Sequence, residues 1–151
     1  CILDNRITGM TGHQDNPGSG RTLRGDPAPV TDIAEIAKAM GFKRVVSVDA
    51  YDMAALERVL KEELDAPEPS VVIAGGPCRI AAKLTNAGTF EVDAEKCKAC
   101  GACFKLGCPA IERGEPTPDG KRFKSRIDPV QCAGCTMCEQ LFKFGAIKRV
   151  R

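Results

Sequence analysis

Apolar and polar positions change period several times along the chain, and each change marks an element. Cys1-Ile2-Leu3 is a short apolar run that predicts a buried strand. Asp4 to Pro29 follows, rich in Gly, Asn, Pro and Thr and almost without hydrophobic periodicity. A loop this long inside a compact domain is usually functional or disordered. Thr31 or Asp32 then caps a helix with Ile33, Ile36, Ala37 and Met40 on one face, stopped by Gly41. Arg44 to Val48 predicts a strand. Asp52 caps a second helix carrying Met53, Leu56, Val59, Leu60 and Leu64 at helical spacing, ended by Pro67. The Met and Leu stripes of both helices are expected to face a core. Ser70 to Ala74 is a continuous apolar strand of the kind buried in parallel sheets. The order β–loop–α–β–α–β predicts one half of a doubly wound α/β domain over residues 1–88. Within it, Gly75-Gly76-Pro77-Cys78 reads as a strand-ending turn with a buried thiol, or as a close approach to a ligand.

Cysteine spacing dominates residues 89–151. Seven of the nine cysteines fall between positions 97 and 138, as Cys97-x2-Cys100-x2-Cys103-x4-Cys108-Pro109 and Cys132-x2-Cys135-x2-Cys138. Three thiolates at x2 intervals suit three corners of an iron–sulfur cube, and the Cys before Pro ligates the other cluster in two-cluster ferredoxins. The segment is also an internal repeat. Val92-Asp93-x3-Cys97 matches Ile127-Asp128-x3-Cys132, and Ala110-Ile111 matches Ala146-Ile147. Two such halves predict an α+β, bacterial ferredoxin-like two-cluster domain over 89–151. The polar stretch between them, Arg113 to Arg126, predicts a surface hairpin.

Phe142 and Lys143 stand where the second motif should close with Cys-Pro. By the crossing rule, Cys108 completes the cluster of Cys132, Cys135 and Cys138, which becomes a four-thiolate [4Fe–4S] site. Cys97, Cys100 and Cys103 are left without a fourth thiolate. The expectation there is a [3Fe–4S] cluster, or a [4Fe–4S] cluster with a ligand from elsewhere, Cys78 being a remote candidate. Zinc is the alternative, since C-x2-C pairs also build structural zinc sites. Triplets supply one thiolate too many per zinc knuckle, and Cys-Pro favours iron–sulfur. A disulfide framework fits poorly with cysteines in three-member runs.

Charge changes the picture modestly. Residues 1–88 carry 10 Lys/Arg against 12 Asp/Glu, and residues 89–151 carry 12 against 8. The basic excess suits docking an acidic electron carrier or an ordinary solvated surface. With no Trp and a single Tyr, nothing resembles a nucleic-acid stripe. No apolar run reaches transmembrane length, so no membrane association and a cytoplasmic location are expected. Cys1 opens directly into a strand without an initiator Met, which suggests the C-terminal piece of a longer polypeptide.

The loop Asp4-Asn5-Arg6-Ile7-Thr8-Gly9-Met10-Thr11-Gly12-His13-Gln14 follows a strand at its carboxyl end, where open α/β sheets bind ligands. The Asn5 amide and a carbonyl such as that of Ile7 offer hard oxygens suited to Mg²⁺, which bridges to phosphate. Thr8, Thr11 and the amides near Gly9 and Gly12 suit the phosphate itself. With Asn16-Pro17-Gly18, this run resembles the thiamine-diphosphate domain of the 2-oxoacid:ferredoxin oxidoreductases, and within them the indolepyruvate type. There the same loop precedes two ferredoxin motifs, so the likeness covers essentially the whole chain.

The resemblance implies that Asn5 and the carbonyl of Ile7 bind Mg²⁺. It also implies that Thr11 and Gly12 lie against thiamine diphosphate, and that His13 and Gln14 line the active-site mouth as the catalytic residues. The family's further Mg²⁺ ligand, an Asp in a Gly-Asp motif, would lie upstream of Cys1, leaving an incomplete thiamine site and an inactive fragment. The implied reaction converts an aryl pyruvate and coenzyme A to acyl-CoA and carbon dioxide, with electrons passing through the clusters to ferredoxin. The smaller (beta) subunit is the implied partner. A standalone ferredoxin-type electron-transfer module, or a relative acting on another 2-oxoacid, are the alternatives.

Overall fold

The computed structural model describes residues 1–81, 88–142 and 144–150. The chain divides into two compact units, Cys1–Ala82 and Lys83–Arg151. Residues 82–87, Lys143 and Arg151 lie outside the described residues.

The first unit is a three-stranded parallel sheet with two helices. Its elements are β1 (Ile2–Asp4), α1 (Ile33–Ala39), β2 (Arg44–Asp49), α2 (Met53–Leu64) and β3 (Ser70–Gly75), with strand order β1-β3-β2. The β3 run takes the centre because it is apolar throughout. Val71, Val72, Ile73 and Ala74 are all buried, and each large one stabilises by roughly 1.5–3 kcal/mol. The helices pack on β2 and β3, with Ala37 of α1 against Val71 and Ile73. Of the two candidate caps for α1, Asp32 acts. Its carboxylate accepts from the N–H groups of Ala34 at 2.8 Å and Glu35 at 3.1 Å. Asp52 caps α2 through Ala55 N–H at 2.9 Å. Register sets Asp4, Gly75 and Asp49 side by side at the carboxyl edge of the sheet.

Two expectations for this unit are corrected. β1 is an edge strand rather than a buried one: Ile2 is 37 % and Leu3 81 % exposed, because the helices sit over β2 and β3. The helix stripes also overreach. Ile36 is 48 %, Met40 73 % and Leu64 82 % exposed; Met40 is the C-cap of α1 and Leu64 the last residue of α2.

The second unit carries two antiparallel pairs, β4 (Thr89–Val92) with β7 (Ile147–Val150), and β5 (Ile111–Pro116) with β6 (Phe123–Ile127). A 3₁₀ turn spans Ala102–Leu106 and a short helix, α3, spans Met137–Leu141. The sequence repeat is visible in the ladders, where the N–H of Asp93 donates to Ala146 and that of Asp128 to Ala110. The core between the pairs comprises Phe90, Ala110, Ile111, Ile127, Cys138 and Ile147. β5 and β6 form the expected hairpin, closed by Thr117, whose N–H and hydroxyl both bond the carbonyl of Arg122.

Candidate functional site

The loop leaving β1 folds on itself at the carboxyl edge of the sheet. Asp4 Oδ1 accepts from the N–H of Arg6 at 3.1 Å, and Asn5 Oδ1 from the N–H of Ile7 at 3.1 Å. These two Asx turns hold Arg6 at a φ of 61°. Thr8 and Gln14 then exchange main-chain hydrogen bonds of 3.0 and 3.1 Å. The short loop between them turns through Gly12 and His13, both at positive φ, and the Thr11 hydroxyl donates to the Gln14 side chain. Asn5, Ile7, Thr11, Gly12, His13 and Gln14 are thus brought onto one loop. Ile7 is half-buried and the other five are exposed.

Segments far along the chain brace this loop. Gly76 N–H donates to the Asp4 carbonyl at 2.9 Å, and Cys78 N–H to the Asn5 carbonyl at 3.1 Å. The Tyr51 hydroxyl donates to Pro77 at 2.8 Å, and the Arg79 guanidinium stacks 4.2 Å above the Tyr51 ring. A cavity at this edge is lined by Asp4, Arg6, Asp32, Asp49, Gly76 and Pro77. Tyr51 and Arg79 carry no signal in the sequence, since neither belongs to a motif or a periodic face. The Gly75-Gly76 pair was the one hint of a close approach. For Mg²⁺, the Asn5 amide oxygen keeps a lone pair beyond its bond to Ile7. That is one hard donor of the several such an ion requires.

The two cysteine loops share a turn geometry. Each begins at an aspartate turn, the Asp93 carbonyl accepting from Cys97 N–H at 3.0 Å and the Asp128 carbonyl from Cys132 N–H at 3.0 Å. Each then takes positive φ at equivalent points of the x2 spacers, Ala99 (49°) and Gly101 (73°) in the first, Gly134 (62°) and Thr136 (69°) in the second. Left-handed geometry at Ala99 and Thr136 is unfavourable for residues with a Cβ. Its recurrence in both loops shows that the loop shape, not local preference, dictates it.

Around the second loop, Cys138 is buried. Burial, and then the neighbouring Cys135, Cys132 and Cys108, push its thiol up to about 11. Cys108 therefore stands with the second triplet, although it belongs to the first motif. Around the first loop, Cys97, Cys100 and Cys103 line an apolar cavity with Phe104, Phe142 and Ser125. Burial raises the Cys97 thiol, but the N–H groups of Ser125 and Ala99, the Ser125 hydroxyl and Lys124 together bring it below the ordinary value. Among the described residues, no three cysteine, histidine or carboxylate side chains close on a point as a single ion requires. A cluster takes one thiolate at each corner and so needs its ligands spread around a larger body. Ser125 was not singled out in the sequence, although the repeat sets it opposite Phe90.

Residues 1–74 match the family model of the thiamine pyrophosphate enzyme C-terminal TPP binding domain. Across nearly its whole length the chain is similar to indolepyruvate oxidoreductase subunit IorA of several archaea. It is 38 % identical to that of Pyrococcus horikoshii, over 99 % of this chain and 23 % of that protein. Identity is 37 % to the Methanothermobacter thermautotrophicus subunit and 34 % to that of Archaeoglobus fulgidus, each over 97 % of this chain and 23 % of the relative. The chain thus resembles one stretch of the IorA subunits. It spans 23 % of the length of these IorA relatives. No solved structure matches it significantly. The TPP-domain match ends at the last residues of β3, so the loop of Asn5 to Gln14 falls inside it and both cysteine motifs outside it. Among the described residues no helix is long and apolar enough to cross a membrane.

Proposed function

We propose that this chain supplies part of a thiamine-diphosphate site and the electron exit of a 2-oxoacid oxidoreductase. The observation that carries the reading is the succession, on one chain, of a TPP-domain loop and two cysteine loops with positive φ at equivalent positions. Indolepyruvate is the substrate favoured by the name of its relatives. The 2-oxoacid anion and coenzyme A give acyl-CoA, carbon dioxide, one proton and two electrons. Thiamine diphosphate, when bound, supplies the electron sink for decarboxylation. Asn5 and the Ile7 carbonyl would hold its Mg²⁺, Thr11 and Gly12 would lie against the cofactor, and His13 and Gln14 would face the substrate. A smaller subunit completes the complex and ferredoxin accepts the electrons, consistent with a cytoplasmic protein.

The second unit is read as a bacterial ferredoxin-like domain over residues 89–151, with residues 1–88 as the thiamine-binding part. Cys108, Cys132, Cys135 and Cys138 would hold a [4Fe–4S] cluster. Cys97, Cys100 and Cys103 would hold a [3Fe–4S] cluster or an atypical [4Fe–4S] cluster, since the cavity they line is closed by Phe142, which has no donor. Such clusters carry one electron at a time, with potentials set by ligand number, hydrogen bonds and burial.

Iron, sulfide and thiamine content, together with 2-oxoacid-dependent reduction of ferredoxin by the complete complex, test the reading. The expected result is two clusters of unequal iron content and preference for an aryl pyruvate. A colourless, zinc-loaded protein would sink it.

A further inference from the structure

We propose that Ser125 is a positioning residue for Cys97, and that its hydroxyl raises the reduction potential of the cluster held by Cys97, Cys100 and Cys103. The proposal rests on the iron–sulfur reading above. Ser125 Oγ lies 3.6 Å from Cys97 Sγ, within hydrogen-bond range for sulfur, and Ser125 lines the same cavity as all three cysteines. In the isolated pair either atom can donate. Once the sulfur is a thiolate on iron it can only accept, so the hydroxyl becomes the donor.

The ladder fixes this geometry. Ser125 pairs with Arg113 across β5 and β6 and is half-buried, so water competes weakly for its hydroxyl. The N–H groups of Ser125 and Ala99 also point at the Cys97 sulfur. Of the donors around that sulfur, the hydroxyl is the one a substitution can remove without altering the backbone.

The internal repeat sharpens the assignment. The offset that superimposes Cys97 on Cys132 places Phe90 opposite Ser125. Phe90 is 1 % exposed and belongs to the core that includes Cys138, against which Cys108, Cys132 and, from the first motif, Cys103 all pack. At the same position of the repeat, one half therefore carries a hydroxyl, 3.6 Å from a cysteine sulfur, and the other a phenyl ring. Reduction places more negative charge on the sulfurs, and a donor stabilises that charge, so a hydrogen bond to a cluster ligand raises the potential. The protein thus uses one side chain to separate the potentials of two sites built on loops of matching turn geometry.

The test is an EPR-monitored redox titration of the iron-loaded protein and its Ser125→Ala, Ser125→Thr and Ser125→Val variants. The Ala variant should shift the midpoint of the three-cysteine cluster negatively. Its reduced-to-oxidised ratio at the wild-type midpoint should fall by roughly threefold or more, tenfold corresponding to about 59 mV for one electron. Thr should hold the wild-type potential and the four-cysteine cluster should not move. Thr and Val match in size and differ in the hydroxyl, so this pair carries the comparison if Ala fails to assemble the cluster. Equal midpoints in Thr and Val, or an unshifted Ala variant with full iron content, overturn the proposal. A protein without iron–sulfur absorption overturns the underlying reading instead.

Discussion

The main-chain N–H of Cys78 donates to the carbonyl of Asn5 at 3.1 Å. This bond ties the turn after β3 to the main chain of the loop leaving β1. The parallel register makes the contact possible, because β1 and β3 end level at Asp4 and Gly75. The Gly76–Cys78 turn is therefore a strut for the loop.

Gly76 should not tolerate a side chain. A Cβ there would lie 2.8 Å from Tyr51 Cε2 and 3.0 Å from Cδ2. The ring cannot swing freely, being held by its hydroxyl on Pro77 and by Arg79 above it. Gly76→Ala should destabilise by about 1–3 kcal/mol and raise the thiamine requirement of the complete complex. Gly75→Ala, whose Cβ would meet nothing within 4 Å, should fold normally. Denaturant midpoints of the pair check this.

Phe142→Cys should convert the odd cluster into a four-thiolate one. Position 142 is extended, with φ −107° and ψ 102°, a conformation that accepts any side chain, and it lines the Cys97 cavity. Iron per chain should rise and the EPR signal of an oxidised three-iron cluster should vanish. Unchanged iron content would show that the fourth ligand already comes from another group.

Acid should weaken the first unit through Glu63. Arg44 holds this carboxylate with two hydrogen bonds of 2.9 and 2.8 Å, and that bonding lowers its folded pKa below 4.5. A lowered carboxylate stabilises above its unfolded value, and the gain disappears as pH falls through the folded one. Wild-type protein should therefore lose stability below about pH 4.5, while Glu63→Gln starts less stable at neutral pH and shows a flatter acid limb. Chemical denaturation across pH 3 to 7 reads both slopes.

Phe90→Ala should be the most damaging core substitution in the second unit. Phe90 is the largest fully buried side chain described, and deleting a buried phenyl costs about 3–5 kcal/mol. Because Cys103, Cys108, Cys132 and Cys138 all belong to or pack on the core around Phe90, iron content should fall along with the denaturant midpoint.

Much of the first unit was legible because its signals are local. Asp52 before a helical stripe, and the unbroken apolar run at Ser70–Ala74, each specify an element through neighbours a few residues away. The misplaced residues share a cause. Leu3, Met40 and Leu64 are apolar, but which apolar residues are covered depends on where the sheet ends and which strand is its edge. Periodicity does not contain that information.

The sequence by itself determined the order of elements, the repeat, the cysteine spacing and the absence of a donor at position 142, because each is a property of residues near one another in the chain. Only the tertiary structure brought the Cys78 N–H to the Asn5 carbonyl, Arg79 over Tyr51 and Ser125 against Cys97. Those pairings depend on strand register and on the way two halves fold across each other. A one-residue shift in either would send the same side chains to the opposite face.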